Sequence, residues 1–398
     1  MKKIFVLIIA ALCFYTSSAQ VESEFDNYVK NQRSAIDSLK GRYEHDIDLL
    51  EKEYEEYIKA ERDANKKKKK EKKAIWGNDN VVETTNTEWV EYSKDGKSRS
   101  VVDFEEGEAT IEIIITPEEE KSEDVVEKKI EDKLKELIIN KGKTKDYDTQ
   151  QEKARDLQDT PILEEQIETP SGEIVTKDNL DEGVKEIAKE AEIQKTVIEG
   201  DDGQKRQVIT VKLDLVPDHI KKRAEKYQSE VEKYCRIYNV DPSMAFAVMQ
   251  TESSFNPKAK SHVPAYGLMQ IVPSSAGQDC AKSLKKPFKK PTANYLYEPA
   301  NNIEMGVHYL HLLKKRYYTN VKDSRSQDLC VIASYNTGAG NVARALRGDT
   351  NISKAIPQIN TMTYDELFRY FERKLLPETQ NYIRKVTERM NNFNKWMK

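Results

Sequence analysis

The sequence predicts a multi-domain protein in which a small α+β N-terminal domain, a long helix followed by an antiparallel sheet, precedes an all-α domain. Three observations lead to this fold class. An amphipathic helical pattern dominates residues 20–75, alternating strand patterns occur within 76–216, and only helical patterns follow Pro217. We therefore assign the long helix to 20–75, the α+β accessory domain to 76–216 and the all-α domain to 217–398.

The first residues are typical of a cleaved export leader, or signal peptide, that covers residues 1–19. A basic start is followed by an apolar run over 4–14 and by small residues that end at Ala19. The run is too short to span a bilayer. Cys13 offers lipid anchoring as an alternative, but the bulky Leu12 before it makes a poor lipidation site. We expect an exported, periplasmic protein, with outer-membrane association left open.

Apolar residues recur at steps of three and four from Phe25 to Tyr57, which predicts an amphipathic helix of considerable length. Its apolar face could pack within the chain or bind a partner in the cell envelope. The pattern continues into a nearly unbroken run of lysines from Lys66 to Lys73. Such a run is typical of a solvated helix end, and contact with an anionic envelope surface is the alternative.

Four segments alternate between apolar and polar residues, as strands with one buried face do. Asp95-Gly96 and Glu106-Gly107 separate the first three, which predicts an antiparallel meander that the fourth extends. Residues 118–200 are mostly charged, with helical patterns at 125–139 and 184–193, so we expect an insertion that is partly ordered at best. The predicted strands are Thr87 to Tyr92, Ser98 to Phe104, Ala109 to Ile115 and Lys205 to Val216.

From Asp218 onward, helical patterns alternate with connectors rich in Gly, Pro and Asn. No strand pattern interrupts them, so we expect an all-α domain. The predicted helices are 220–238, 242–254, 274–283, 301–318, 327–335, 340–346, 364–375 and 379–396.

The net charge of −4 is divided unevenly along the chain. Residues 218–398 hold 29 Lys+Arg against 17 Asp+Glu, whereas the remainder holds 36 against 52. A basic helical domain suits an anionic polymer, and nucleic acid is the obvious competing ligand. No nucleic-acid-binding module is legible, and basic and aromatic residues do not interleave, so we expect no nucleic-acid partner.

Glu252 is the most conspicuous residue of the all-α domain. It follows the apolar run 244–249 and, with Phe255, falls on the helix face that otherwise looks built for a core. A carboxyl on such a face is partly desolvated, which raises its pKa and lets it hold a proton near neutral pH. A general acid needs this property. Pro257 predicts that the helix ends at Asn256.

Five short motifs follow one another in the all-α domain. They are Glu252-Ser253-Ser254-Phe255-Asn256-Pro257, Gly267-Leu268-Met269-Gln270, Asn302-Ile303-Glu304-Met305-Gly306, Ser334-Tyr335-Asn336-Thr337-Gly338-Ala339-Gly340 and Glu378-Thr379-Gln380-Asn381-Tyr382. Their order and spacing resemble those of the soluble lytic transglycosylase domain. The resemblance covers Asp218 to the C-terminus and implies a lysozyme-like catalytic domain. Pro264 departs from the pattern, because most of the wider family has glycine there.

A second set of motifs lies in the α+β domain: Trp76-Gly77-Asn78-Asp79-Asn80, Ser98-Arg99-Ser100 and Val102-Asp103-Phe104. These resemble the N-terminal domain of the membrane-bound lytic murein transglycosylase C family. The resemblance implies cleavage of the β-1,4 bond between N-acetylmuramic acid and N-acetylglucosamine, ending in a 1,6-anhydromuramyl product. Peptidoglycan glycan strands are therefore the expected partner, in cell-wall remodelling or turnover.

The distribution of acids favours this reaction independently. Ordinary glycosidases place a second carboxylate across the scissile bond, but no Asp or Glu occurs from Ser253 to Gln278. With one carboxyl, Glu252 would protonate the leaving oxygen and then accept the proton of the sugar's own 6-hydroxyl as that oxygen attacks. A later acid could still fold in, which leaves a lysozyme-type muramidase as the alternative. A non-catalytic peptidoglycan-binding protein is the other.

Side-chain chemistry assigns supporting roles around Glu252. Gln270 offers an amide to N-acetyl groups, and Met269 would pack against the sugar where a hydrolase holds an acid. Tyr335 could donate to the sugar or be a core tyrosine, and Tyr382 would reach the cleft from the last helix. The expected substrate-binding residues are Ser253, Met269, Gln270, Tyr335, Asn336, Glu378 and Tyr382.

No metal or cofactor is expected. His308 and His311 lie three residues apart on one predicted helix, but no third ligand accompanies them. Cys235, Cys280 and Cys330 follow the leader, and this odd number allows one disulfide with one free thiol, or no disulfide. Cys330 lies in an apolar stretch, which favours a buried thiol.

Overall fold

The computed structural model describes residues 63–145, 154–157, 159–261 and 265–397, together with positions 30, 52, 56 and 59. The predicted leader and nearly all of the helix predicted from Phe25 to Tyr57 lie outside these residues. The described residues from position 63 onward form one compact unit. Among the described residues, no helix combines the length and the apolarity that a bilayer-spanning segment needs.

The lysine run lies on helix α1, which occupies residues 63–76 of the described chain. The side chain of Trp76 at its end is fully buried, and the indole nitrogen donates a hydrogen bond to the carbonyl oxygen of Gly96 at 2.7 Å. The guanidinium of Arg99 lies over the Trp76 ring, 4.1 Å from its centroid. Trp76 therefore anchors the end of α1 to the first turn of the sheet.

The sheet region, residues 76–216, is built on five antiparallel strands. They are β1 (Glu88–Tyr92), β2 (Ser98–Asp103), β3 (Glu108–Ile115), β6 (Gln194–Glu199) and β7 (Lys205–Asp214), while β4 (Lys143–Lys145) pairs separately with β5 (Ala154–Asp156). Their order in the sheet is β1-β2-β3-β7-β6. The four predicted strands are confirmed as β1, β2, β3 and β7. The sequence does not predict β6, because this edge strand is almost wholly exposed and its side chains do not alternate between buried and exposed.

Two helices from the charged segment 118–200 cover this sheet. α2 (Glu123–Ile138) and α3 (Leu180–Glu190) share one apolar core with the strands, to which they contribute Ile130 and Ile187 among others. The expectation of partial order is wrong for the described part of this segment. The helical patterns predicted at 125–139 and 184–193 are confirmed as α2 and α3, and most of the charges on these helices lie on solvated faces.

The helical region, residues 218–397, has one continuous apolar core. Its described helices are α4 (His219–Lys226), α5 (Gln228–Tyr238), α6 (Pro242–Ser253), α7 (Gln278–Ser283), α8 (Ala293–Tyr297), α9 (Pro299–Tyr317), α10 (Ser324–Thr337), α11 (Ala339–Arg347), α12 (Ile352–Ile359), α13 (Tyr364–Lys374) and α14 (Pro377–Trp396). The predicted fold class, an α+β part followed by an all-α part, is confirmed. The sequence does not predict α8 and α12, because α8 is only five residues long and α12 contains Pro357.

The described cysteines belong to this core. Cys235, Cys280 and Cys330 are all buried and free, so the prediction of a buried Cys330 thiol is confirmed. Burial raises the pKa of each thiol well above its ordinary value. The thiols therefore stay protonated and pack as small apolar groups.

Helix α6 is buried along most of its length. Asp241 caps its start by accepting a hydrogen bond from the amide of Ser243, and Pro242 occupies the first helical position. The side chains of residues 244–249 are all buried. Helix α14 packs along α6, and this pairing brings the last helix of the chain against the residue that the sequence marks as a general acid.

The end of α6 differs from the prediction. The helix stops at Ser253, one residue before the end of the predicted segment 242–254 and three before the limit that Pro257 sets at Asn256, because Ser254 and Phe255 have left-handed φ angles of 48° and 63°. The reversal buries the Phe255 ring in the core. We refer to residues 251–255, which include Glu252, as the terminal turn of α6.

Candidate active site

The carboxyl of Glu252 is partly buried in the terminal turn and accepts a hydrogen bond from a tyrosine. Tyr382 Oη donates to Glu252 Oε1 at 2.6 Å. Burial raises the pKa of the Glu252 carboxyl from 4.5 to about 7, the Tyr382 hydrogen bond acts to lower it, and the charge of Glu378 adds to the rise. Both protonation states are thus populated near neutral pH, and the carboxyl can donate as well as accept a proton.

Helix α14 supplies two of these groups one helical turn apart. Tyr382 is buried and points its hydroxyl at the acid, whereas Glu378 is exposed in the first turn of the helix. A carboxylate at that position also interacts favourably with the amide end of the helix dipole. The structure therefore brings Glu378 and Tyr382 to the same side of Glu252.

The turn at residues 267–270 is fixed by one asparagine. Asn302 Nδ2 donates to the carbonyl oxygens of Tyr266 and Leu296, both at 2.7 Å, and Asn302 Oδ1 accepts from the amide of Met269 at 2.8 Å. Gly267 has a φ of 75°, and a Cβ there would lie 2.3 Å from Asn302 Nδ2. Asn302 is thus a buried packing residue that shapes this turn.

Two residues predicted to bind substrate are buried instead. Met269 has no exposed surface, and its side chain fills the space beside Gly306, where a Cβ would lie 2.2 Å from Met269 Sδ. Ser253 is also fully buried, and its hydroxyl donates to the carbonyl oxygens of Leu268 at 2.7 Å and Met249 at 3.1 Å. Both side chains are thus closed off from solvent in this structure, where they tie the 267–270 turn to α6 and α9.

Gln270 and Tyr335 border the same turn. Gln270 Nε2 donates to the carbonyl oxygen of Gly267 at 3.0 Å, and its Oε1 is buried without a hydrogen-bond partner in the part of the chain that the structure describes. Tyr335 Oη donates to the carbonyl oxygen of Met269 at 2.8 Å. Burial and, after it, the charge of Glu252 hold the pKa of Tyr335 well above its ordinary range, so the phenol stays neutral.

Asn336 connects two of the helices that carry the site. Its Oδ1 accepts a hydrogen bond from Thr379 Oγ1 at 2.7 Å, which links the end of α10 to the start of α14. The Asn336 side chain is only partly buried. Its side-chain amide nitrogen could therefore donate a hydrogen bond to a ligand.

The sheet region also contacts the terminal turn, through residues that the sequence does not single out. Asn86 Nδ2 donates to the backbone oxygen of Glu252 at 3.3 Å. The carboxylate of Glu105 accepts hydrogen bonds from Ser254 Oγ and Arg389 Nη2. No periodicity or motif marks Asn86 or Glu105, because both lie in connections of the sheet. Only the tertiary fold brings them to the acid.

Arg223 forms a buried bridge between the two regions. Its guanidinium donates to the carbonyl oxygen of Phe104 at 2.6 Å, to Gln166 Oε1 at 2.6 Å and to the carbonyl oxygen of Ser254 at 3.1 Å. Burial lowers the pKa of Arg223 to about 9, which still leaves it charged at neutral pH. A charge buried this deeply is retained because its hydrogen bonds compensate for the lost hydration.

The histidine pair makes contacts of its own within the protein. His308 Nε2 lies 2.9 Å from Ser283 Oγ, and His311 Nδ1 lies 2.6 Å from the carbonyl oxygen of Tyr238. Across the described ranges, no group of three or more His, Cys, Asp or Glu side chains is arranged to hold a metal ion.

Comparisons with known proteins match both regions of the chain. The family model of the transglycosylase SLT domain matches residues 229–356, and that of the membrane-bound lytic murein transglycosylase C N-terminal domain matches residues 62–226. Proteins named membrane-bound lytic murein transglycosylase C are similar along the whole chain. That of Sodalis glossinidius is 30% identical over 99% of both chains, and that of Yersinia pestis (strain Pestoides F) is 31% identical over 100% of both.

Among solved structures, the 70 kDa soluble lytic transglycosylase of Escherichia coli is similar to part of the chain. The match has 24% sequence identity and covers 45% of this chain and 26% of that protein, with a TM-score of 0.36.

Proposed function

The chain belongs to the membrane-bound lytic murein transglycosylase C family, whose lytic transglycosylases act on peptidoglycan, and on that basis we propose that Glu252 performs both proton transfers of the reaction. The hydrogen bond from Tyr382 to the Glu252 carboxyl, at 2.6 Å, is the observation that carries this assignment. A pKa of about 7 supports it, since one group can then act as acid and as base.

In the first step, the protonated Glu252 carboxyl gives its proton to the glycosidic oxygen between N-acetylmuramic acid and N-acetylglucosamine. The bond from C1 of the muramic acid to that oxygen breaks, and the N-acetylglucosamine side leaves as an alcohol. In the second step, the Glu252 carboxylate takes the proton of the 6-hydroxyl of the same muramic acid while that oxygen bonds to C1. The product is a 1,6-anhydromuramyl end, and Glu252 is again protonated.

Tyr382 balances the two states that this cycle needs. Its donated hydrogen bond stabilises the carboxylate that exists between the two steps, whereas burial favours the acid that starts the cycle. The opposed effects leave the pKa near the pH at which the enzyme would work. Glu378 acts in the same direction as burial, because a second negative charge disfavours the ionised form of Glu252.

We assign recognition of the glycan to groups around this carboxyl. The buried Oε1 of Gln270 is an acceptor without a partner in the described chain, and the N–H of an N-acetyl group would satisfy it. Asn336 offers its amide nitrogen, since its oxygen already accepts from Thr379. Tyr335 and Glu378 complete the proposed binding set beside Glu252.

The decisive experiment is digestion of purified peptidoglycan, followed by mass spectrometry of the muropeptides. Anhydromuramyl ends support the proposed reaction, whereas reducing muramic acid ends would assign the protein to the muramidases. Glu252→Gln keeps the size and the hydrogen-bonding capacity of the side chain but removes its proton transfer. We expect it to bind glycan strands without cutting them, and cleavage near the wild-type rate would overturn the assignment of the acid.

We further propose that the protein works on the periplasmic side of the cell envelope; the name of its relatives, membrane-bound lytic murein transglycosylase C, supports an association with the envelope. Residues 1–19 would direct export, and the helix expected from Phe25 to Tyr57 would contribute to association with the outer membrane. Cys13→Ser tests the lipid-anchor alternative. Unchanged partitioning of this variant between soluble and membrane fractions would show that membrane association does not depend on a lipid at Cys13.

A further inference from the structure

We propose that Glu105, in the connection after β2, is a positioning residue for Glu252, which it holds through Ser254 and Arg389. The inference rests on the proposed role of Glu252 as the acid and base of the reaction. It assigns the sheet region a direct part in the chemistry of the helical region, although no residue of the sheet is needed for proton transfer itself.

One carboxylate contacts both sides of the acid. Glu105 accepts a hydrogen bond from the hydroxyl of Ser254, and it pairs with the guanidinium of Arg389. The same guanidinium donates through Nη1 to Thr251 Oγ1 at 3.2 Å. Thr251 and Ser254 lie on either side of Glu252 in the terminal turn, so Glu105 fixes this turn at two points.

The terminal turn needs such support because its backbone is unfavourable. Ser254 and Phe255 both have left-handed φ angles, which residues with a Cβ rarely adopt unless surrounding contacts impose them. Asn86 donates to the carbonyl oxygen of Glu252, and Arg223 donates to that of Ser254. With Glu105, contacts from the sheet region therefore reach the backbone and the side chains of the turn.

The charge of Glu105 has a second consequence at the site. Although burial acts to raise it, hydrogen bonds and charges from Ser254, Arg389 and Lys385 hold the pKa of Glu105 below its ordinary value, so it is ionised at neutral pH. Arg389 lies seven residues after Tyr382 on α14, and its charge acts on that phenol. Glu105 thus neutralises a positive charge on the helix that carries Tyr382, the hydrogen-bond donor to Glu252.

Burial sets the pKa of Glu252 first, and the Tyr382 hydrogen bond and the Glu378 charge then adjust it. Tyr382 and Glu378 approach from α14, and Tyr335 approaches from α10. Without the negative charge of Glu105, the positive charges of Lys385 and Arg389 would have lost their ion-pair partner near these groups. An unbalanced positive charge lowers the pKa of a nearby carboxyl, so less Glu252 would be protonated at neutral pH.

The test is Glu105→Gln, measured as steady-state release of anhydromuropeptides from soluble, uncrosslinked glycan strands between about pH 5 and about pH 9. We expect kcat to fall by about tenfold, which corresponds to about 1.4 kcal/mol of transition-state stabilisation. KM should change little, because Glu105 is not part of the proposed binding set and its contacts are with Ser254 and Arg389. The high-pH limb of the profile should move to lower pH, and adding Arg389→Gln should move it back.

Glu164→Gln is the matched control. Glu164 also pairs across the two regions, with Lys226 Nζ at 3.4 Å, but it has no contact with the terminal turn. It should keep the wild-type kcat and pH profile, and thermal unfolding of all variants shows whether each is folded. If Glu105→Gln keeps the wild-type kcat and high-pH limb, or if Glu164→Gln shifts them equally, the inference is wrong. Failure of the wild-type protein to produce anhydromuramyl ends would instead reject the proposed function.

Discussion

Tyr382 and Glu252 are 130 residues apart in the chain, yet the hydroxyl of the first donates to the carboxyl of the second at 2.6 Å. The contact exists because α14 packs along α6 within one core. It places a neutral donor against a carboxyl whose pKa burial has already raised. The packing of two helices, rather than a loop, therefore positions this partly buried acid and its hydrogen-bond donor.

Because the pKa of Glu252 is raised in the folded state, the free energy of unfolding should fall as the pH rises. The folded carboxyl titrates at about 7 and the unfolded one at about 4.5, so between these values the folded state binds more protons. Rising pH through this window therefore lowers the free energy of unfolding, by about 3 kcal/mol once the pH exceeds 7. Glu252→Gln removes this titration. Urea unfolding should find the variant more stable than the wild type at about pH 8, with a smaller difference near pH 5.

Tyr382→Phe should move the pH profile in the opposite direction from Glu105→Gln. The phenol acts to lower the pKa of Glu252, so its removal raises that pKa and shifts the high-pH limb of activity upward. We expect kcat to fall by about tenfold to a hundredfold, because the carboxyl also loses its orienting donor. Tyr370→Phe is the control, since its hydroxyl donates to the carbonyl oxygen of Ala345 at 3.1 Å and does not contact the acid. A limb that stays in place would contradict this role for Tyr382.

Gln270→Leu should weaken glycan binding more than it slows the chemical step. The variant removes the buried Oε1 that lacks a partner in the described chain, and with it the proposed bond to an N-acetyl group. We expect KM to rise by about five- to tenfold, which corresponds to about 1 to 1.4 kcal/mol. Gln327→Leu is matched, because Gln327 Nε2 likewise donates to a backbone oxygen, that of Tyr318 at 2.7 Å. Equal KM values for both variants would remove Gln270 from the binding set.

Gly306→Ala should destabilise the protein although alanine favours helices. Its Cβ would lie 2.2 Å from Met269 Sδ and 2.7 Å from Met269 Cβ, so the side chain cannot simply rotate away. Overpacking of this kind costs about 1 to 3 kcal/mol, and displacement of Met269 would also disturb the turn that carries Gln270. Gly340→Ala provides the comparison, because its Cβ would lie 3.6 Å from Thr350. Melting temperatures that agree for the two variants would contradict the packing argument.

Helices and strands whose own apolar residues follow a regular period can be predicted from the sequence. β3 alternates between buried and partly buried residues, as its sequence pattern predicts, and the helical region consists of helices throughout its long predicted segments. β6 is missed because it is an exposed edge strand. The two helical patterns of the charged segment 118–200 are confirmed as α2 and α3, but the extent of order in its described part is underestimated. Each of these misses arises where burial depends on a neighbouring element.

Some residues of the candidate site can likewise be predicted from the sequence, and others cannot. Glu252 stands out because a carboxyl follows an apolar helical run, and the motifs bring Tyr335 and Tyr382 to attention. Glu105 and Asn86 do not, since each lies in a connection and acquires its partners only when the sheet packs beside α6. The early end of α6 has a similar origin: a left-handed backbone that Arg223 supports from another helix overrides the boundary that Pro257 predicts.

The bridge formed by Arg223 makes the boundary between the sheet and the helices a poor place to cut the chain. Residues 218–398 expressed alone would keep the hydrogen bond to Ser254 but lose those to Phe104 and Gln166. The guanidinium of Arg223, which is buried in the intact chain, would then either be exposed to water or stay buried with two of its N–H donors unsatisfied. For this reason, we do not expect the helical region to work as an independent domain. A functional graft onto another protein would have to carry the sheet with them.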